Sequence, residues 1–140
     1  MWQDRLNSVP EKVEILEQMG KIRDAAPGED GVRLSYLLKG GTKMHDRIVE
    51  VVKFMFLNDA EKWEDSLKSG VVVPFYKLKG DCDDPGNYRG ICLLSLGSMI
   101  LARIVAARLQ VWAEEAGVLD DNQQVFRKGR STQRCNSNDG

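Results

Sequence analysis

Cysteine is scarce in this chain. Cys82, Cys92 and Cys135 are the only three, and no C-x-x-C pair occurs. That number and spacing indicate neither a disulfide framework nor a zinc ribbon, and free thiols fit a reducing compartment. Histidine is scarcer still. His45 stands alone, which withdraws support from His-centred hydrolysis and His-rich metal sites and leaves it as a helix-surface residue. Excess charge of either sign is missing as well. The 20 Lys and Arg meet 21 Asp and Glu, for a net charge of -1, so the whole chain has no bulk attraction for nucleic acid. No uninterrupted apolar run approaches membrane-spanning length. Residues 1–15 mix charged and apolar residues where a signal peptide needs a continuous apolar core. A soluble, intracellular protein with no membrane partner is the expectation. A glycine-rich dinucleotide fingerprint and internal repeats are absent too.

What is present is an ordinary globular composition. With 42% hydrophobic and 29% charged residues, the 140 positions suit one compact domain or a piece of a larger one. The charges are segregated. Residues 103–134 carry Arg103, Arg108, Arg127, Lys128, Arg130 and Arg134 against Glu114, Glu115, Asp120 and Asp121. Residues 58–65 lean acidic through Asp59, Glu61, Glu64 and Asp65. Any basic surface therefore comes from local clustering.

Ser8-Val9-Pro10-Glu11 reads as a capping box that opens a helix, with Val13, Leu16 and Met19 on one face and Gly20 at its end. AAPGEDGV, residues 25–32, holds two turn dipeptides, Pro27-Gly28 and Asp30-Gly31, and forms a loop. The short run SYLLKGG is broken by Gly40-Gly41. Thr42 can then cap a second helix, in which Met44, Ile48, Val51, Val52 and Met55 recur at helical spacing. Trp63 and Leu67 are four apart and predict a further helical turn. After Gly70 the period changes. VVVPFYK is β-branched and aromatic and reads as a strand, in which Pro74 argues for an edge position or a bulge. DCDDPGN is a turn and YRGICLL a return strand, so a hairpin with a long tip is predicted. The longest helix runs from about Leu96 to Ala116, with Leu101, Ile104, Val105, Leu109 and Trp112 as its apolar face and Gly117 as its stop. The polar, aperiodic tail RSTQRCNSNDG is expected to be disordered. The order helix, helix, hairpin, helix predicts an α+β fold, one layer of helices on a small antiparallel sheet.

Two motifs fail on inspection. Asp81-Cys82-Asp83-Asp84-Pro85-Gly86 has carboxylates at the first and third positions of a calcium loop and glycine at the sixth. Pro85 offers no side-chain oxygen at the fifth, and Cys92 stands where a bidentate glutamate is required, so the segment reads as a solvated turn. GRST, residues 129–132, lacks the lysine of a phosphate loop, and Val125 replaces its first glycine. Three cations remain. Lys77 and Lys79 are two apart on one strand and are expected on one face; Arg89 on the return strand joins them if it faces the same way. Such a cluster suits a polyphosphate, with lysine as a point charge and arginine as a planar fork that also stacks on a base. A solvated hairpin whose lysines offset its own aspartates explains the same spacing.

Five segments then resemble, in order, the early part of a non-LTR (LINE-type) retrotransposon reverse transcriptase. They are a Pro-Gly-x-Asp-Gly loop (Pro27, Gly28, Asp30, Gly31) and a strand ending Pro-x-x-Lys-x-Gly-Asp (Pro74, Lys77, Gly80, Asp81). Asn-Tyr-Arg-x-Ile-x-Leu-Leu-Ser follows at Asn87 to Ser95, then a helix with Arg103, Ile104, Arg108 and Leu109, then Gln123 to Thr132. The likeness spans about Lys21 to Thr132, and five segments in the right order are far more specific than any one.

The resemblance implies a partial right-hand polymerase fold. Residues 1–132 would be the fingers and the start of the palm, and 133–140 a disordered tail. It implies RNA-templated DNA synthesis on a DNA primer from deoxynucleoside triphosphates, with Mg2+ in the complete enzyme, in the nucleus. Lys77, Lys79 and Arg89 would meet the incoming nucleotide; Gln123, Phe126 and Arg127 would lie near the template or nucleotide pocket. Nucleotidyl transfer uses two metal ions about 4 Å apart. The palm aspartates that hold them in this family have no counterpart in these 140 residues, so a fragment inactive alone is expected. The alternative is a non-enzymatic nucleic-acid-binding remnant.

Overall fold

The computed structural model describes residues 1–24 and 26–119. Within them the fold is α+β. Helices α1 (Trp2–Asn7), α2 (Lys12–Gly20), α3 (Leu34–Lys39), α4 (Gly41–Leu57) and α5 (Asp65–Lys68) precede strands β1 (Gly70–Tyr76) and β2 (Tyr88–Leu94), and α6 (Leu96–Glu115) follows. Helix α6 is the spine, against which α2 and α4 pack and which α1 and α5 also reach. One core joins Ile15 and Met19 of α2, Leu34 and Leu37 of α3, Ile48 and Val52 of α4, and Leu96, Ile100 and Ile104 of α6.

Several helix details differ from the sequence expectation, each because a neighbour decides. Ser8 does not open α2. Its hydroxyl donates back to the Arg5 carbonyl at 3.0 Å, and Glu11 is the N-cap, with no side-chain cap bond. The buried side of α2 is Ile15, Gln18 and Met19, whereas Val13 is 74% exposed. Helix α6 approaches on the side of Glu14, whose carboxylate takes Arg108. Helix α1, which the sequence pattern did not announce, is held by the same arginine through the Leu6 and Ser8 carbonyls. SYLLKGG folds as α3, and Gly41, at φ 67°, turns the chain directly into α4 without a cap from Thr42. His45 is half-buried rather than on the surface, and its Nε2 has no hydrogen-bond partner among the described residues. Trp63 and Leu67 belong to different turns: a 3-10 turn spans Ala60–Lys62, α5 starts at Asp65, and the Trp63 indole donates to the Asn58 carbonyl.

The expected face of α6 is the largest difference. Leu96, Gly97, Ile100 and Ile104 are buried and Leu101 is half-buried, while Val105 and Leu109 are 40% and 45% exposed. Apolar residues occur on more than one side of this helix, so spacing alone picks no unique stripe. Contacts pick it: at Gly97, a Cβ would meet Met55 and Val51 of α4 at 3.3 and 3.4 Å. The stop at Gly117 is as expected. At φ 64° it closes the helix while its amide bonds the Glu114 carbonyl and the Val118 amide bonds the Ala113 carbonyl, a Schellman motif. By length and composition α6 could cross a membrane, with a mean hydropathy of 1.3 in its most apolar window. About 28% of that window is buried, the stripe of Leu96, Gly97, Ile100 and Ile104 among it, and Arg108 is paired with Glu14.

The hairpin is present, but the helices do not form a layer over it. Side chains from Val71 to Phe75 and from Arg89 to Cys92 are exposed, so it projects from the helical body. Its base is held from both arms by the Pro27–Gly31 loop. A Cβ on Gly28 would lie 2.5 Å from the Leu94 carbonyl carbon, and Ser69, just before β1, donates to Glu29. Ser95 then caps α6, accepting from the Ser98 amide at 3.2 Å, and the Ser98 hydroxyl donates to the Leu67 carbonyl. Gly28→Ala therefore forces backbone off backbone, and urea denaturation should show a loss of about 1–3 kcal/mol. An unchanged midpoint would mean the loop does not clamp the hairpin.

Candidate nucleotide-binding hairpin

The register pairs Val73 with Ile91, Pro74 with Gly90, Phe75 with Arg89 and Tyr76 with Tyr88. Beyond the strand, the Lys77 amide donates to the Asn87 carbonyl at 2.9 Å, which extends the ladder by one pair. Paired residues share a face, and alternate residues along a strand do too. Val73, Phe75 and Lys77 therefore lie with Arg89 and Ile91 on one face, and Tyr76 with Tyr88 on the other.

Lys77, opposite Asn87, and Arg89, opposite Phe75, thus share a face. Lys79 is not carried along by alternation. β1 ends at Tyr76, and Leu78 has φ 56°, in the left-handed region that branched side chains avoid. The period of two stops there, so the expectation that Lys77 and Lys79 share a strand face does not hold. Gln123, Phe126 and Arg127 lie outside the described residues. Sequence reasoning passed over Phe75. It is directly opposite Arg89 and 58% exposed, and its position two before Lys77 was the available signal.

The tip is built by its own polar groups. Asp81 Oδ1 accepts from the Asp83 amide at 3.0 Å, and Asp84 Oδ1 accepts from the Gly86 amide at 2.8 Å. The Asn87 side-chain amide donates to the Asp81 carbonyl at 2.8 Å, where Gly80, at φ 85°, leaves room for it. The Tyr76 and Tyr88 rings, 5.4 Å apart, send their hydroxyls to the Gly80 and Cys82 carbonyls. Asn87 and Tyr88 thus shape the turn. Lys77 Nζ donates to the Gly86 carbonyl at 2.7 Å. No ion pair joins Lys77, Lys79 or Arg89 to an aspartate among the described residues; Arg89 and Lys79 make no side-chain hydrogen bond there. Asp81 and Asp84 accept turn amides, and among the described residues no carboxylate stands at contact distance from these cations.

The ligand atoms of Asp81, Cys82 and Asp83 lie within 4.8 Å of one another, all exposed. They do not suit the Mg2+ that the resemblance implies. That ion takes oxygen ligands in near-octahedral geometry; here one ligand is a thiol, and Asp81 already serves the turn. No catalytic step is routed through them. A cleft of about 340 Å3 lies elsewhere, between α1, α2 and α6, and none of the hairpin cations lines it. Compared with models of protein families and with curated proteins, the chain matches none.

Proposed function

We propose that this chain is the fingers portion of an RNA-directed DNA polymerase of the non-LTR retrotransposon kind. Its hairpin receives the incoming deoxynucleoside triphosphate beside the RNA template and DNA primer, in the nucleus. Metal-assisted transfer depends on palm carboxylates that these segments do not supply. The observation that carries this reading is the shared face of Lys77 and Arg89, with Phe75 opposite Arg89. Lysine offers the phosphates a compact charge, and arginine offers a fork. The exposed bond from Lys77 to Gly86 can be exchanged for a phosphate at little net cost, because one charge-assisted contact replaces another.

Titration with a deoxynucleoside triphosphate in the presence of template and primer tests the reading. Arg89→Ala and Lys77→Ala should each weaken binding about ten- to a hundredfold, the range for hydrogen bonds to charged groups. Lys79→Ala should stay within about twofold, since the strand does not present it with the other two. Equal losses at all three positions would instead describe diffuse charge attraction. Primer extension by the pure chain is expected to be nil, and measurable extension would overturn the assignment of the carboxylates to another segment.

A further inference from the structure

β1 and β2 make up the sheet among the described residues, so each strand has one outer edge. Hydrogen-bonded and non-bonded pairs alternate along an antiparallel ladder. The bond from the Lys77 amide to Asn87 sets the phase. Phe75/Arg89 and Val73/Ile91 are then bonded pairs, while Tyr76/Tyr88, Pro74/Gly90 and Val72/Cys92 turn their backbone groups outward. The two edges differ. In the middle of the β1 edge sits Pro74, which has no N–H to offer and whose ring obstructs an approaching strand. The β2 edge presents Tyr88, Gly90 and Cys92. Gly90 and Cys92 are exposed, and the phase of the ladder turns their amides outward, whereas the Tyr88 amide donates to the Pro85 carbonyl. The edge ends at Leu94, where Gly28 lies against the carbonyl.

We propose that the β2 edge pairs with the β2 edge of a second copy of this chain, antiparallel about a two-fold axis at Gly90. Gly90 exchanges hydrogen bonds with Gly90 of the second copy, and the Cys92 amide donates to the Tyr88 carbonyl of the second copy, while the Tyr88 amide stays on its own Pro85 carbonyl. Three features point to a second copy. Among the described residues each chain has one open edge and one blocked by Pro74, so pairing closes at two chains and does not run on into a fibre. In this register Arg89 faces the apolar Ile91 of the second copy, and the two Arg89 side chains are diagonal rather than directly opposite. A two-stranded hairpin exposed on both faces is marginal in water, and a four-stranded sheet exceeds the size at which strands hold together. The pair also sets Val73, Phe75 and Ile91 of both copies into one wider apolar face.

Sedimentation equilibrium of the full chain over a range of concentrations reads the association. Ile91→Glu places a carboxylate opposite Arg89 of the second copy and should tighten the dimer; Ile91→Lys places a cation there and should weaken it. The two dissociation constants should differ about tenfold, from two symmetry-related cross-strand pairs. Both variants remove the same apolar side chain, 44% exposed, so unspecific hydrophobic association would weaken both alike. Amide exchange of the unaltered chain gives a second readout. Protection should rise with concentration at Gly90 and Cys92 and not at Val72 and Tyr76. A monomer at every concentration, equal weakening by both variants, or protection on the Pro74 edge instead would overturn the proposal.

Discussion

Arg108→Met is expected to lower the unfolding free energy by about 3 kcal/mol, the cost of removing one partner from a largely buried ion pair. Arg108 Nε and Nη2 donate to the two carboxylate oxygens of Glu14 at 2.8 and 2.6 Å, and Nη1 donates to the Leu6 and Ser8 carbonyls at 3.1 and 2.6 Å. The guanidinium also lies 5.6 Å from the centre of the Phe56 ring. One side chain thus ties α1, α2 and α4 to α6. Its exposure is 14%, and that of Glu14 is 30%, so water screens the pair poorly. Methionine keeps much of the apolar stem and leaves the Glu14 charge and two carbonyls without their partner. The double variant with Glu14→Gln should recover part of the loss, because the stranded charge is gone. Urea denaturation measures both. A single variant within 0.5 kcal/mol of the parent, the usual range for plain surface changes, would show that the network holds nothing together.

Ile100→Ala should cost about 2–5 kcal/mol, as large-to-small changes do in closed cores. Ile100 has no exposure and sits between Leu96 and Ile104 on the buried stripe of α6. Leu109→Ala, one side over on the same helix and 45% exposed, should cost well under half as much. Thermal unfolding of the two variants side by side tests which stripe of α6 is core. The reverse order would restore the expected face of Leu101, Ile104, Val105, Leu109 and Trp112, of which Ile104 is buried.

Local patterns were legible wherever one residue type allows one local state. The β-branched run into Pro74, the Asp-rich turn and the return strand marked the hairpin, because no other regular element fits those residues. The spacing of Ile48, Val52 and Met55 marked α4, and Gly117 marked the end of α6, since a residue at φ 64° is readily a glycine. In the site, alternation left the face of Arg89 open, and the register Phe75–Arg89 put it on the face of Lys77. Alternation did not suffice for Lys79. Leu78 enters the left-handed region, which leucine does not advertise, and from there the strand period no longer applies.

Other features were undecidable from the chain alone. Ser8 can cap a following helix or close a preceding one; its hydroxyl went to Arg5 because α1 exists, and α1 exists as an anchored helix because Arg108, 100 positions away from Ser8, holds its end. Helix α6 carried two acceptable apolar stripes, and α2 and α4 chose between them. Composition and spacing established α2, α4, the hairpin and α6 in their order, but not α1 or α3, since the former follow from backbone sterics and short-range periodicity. Which helix faces are core, how the loop at Gly28 grips the hairpin, and that the sheet stands free of the helices were settled by packing between residues distant in sequence, which no local pattern encodes.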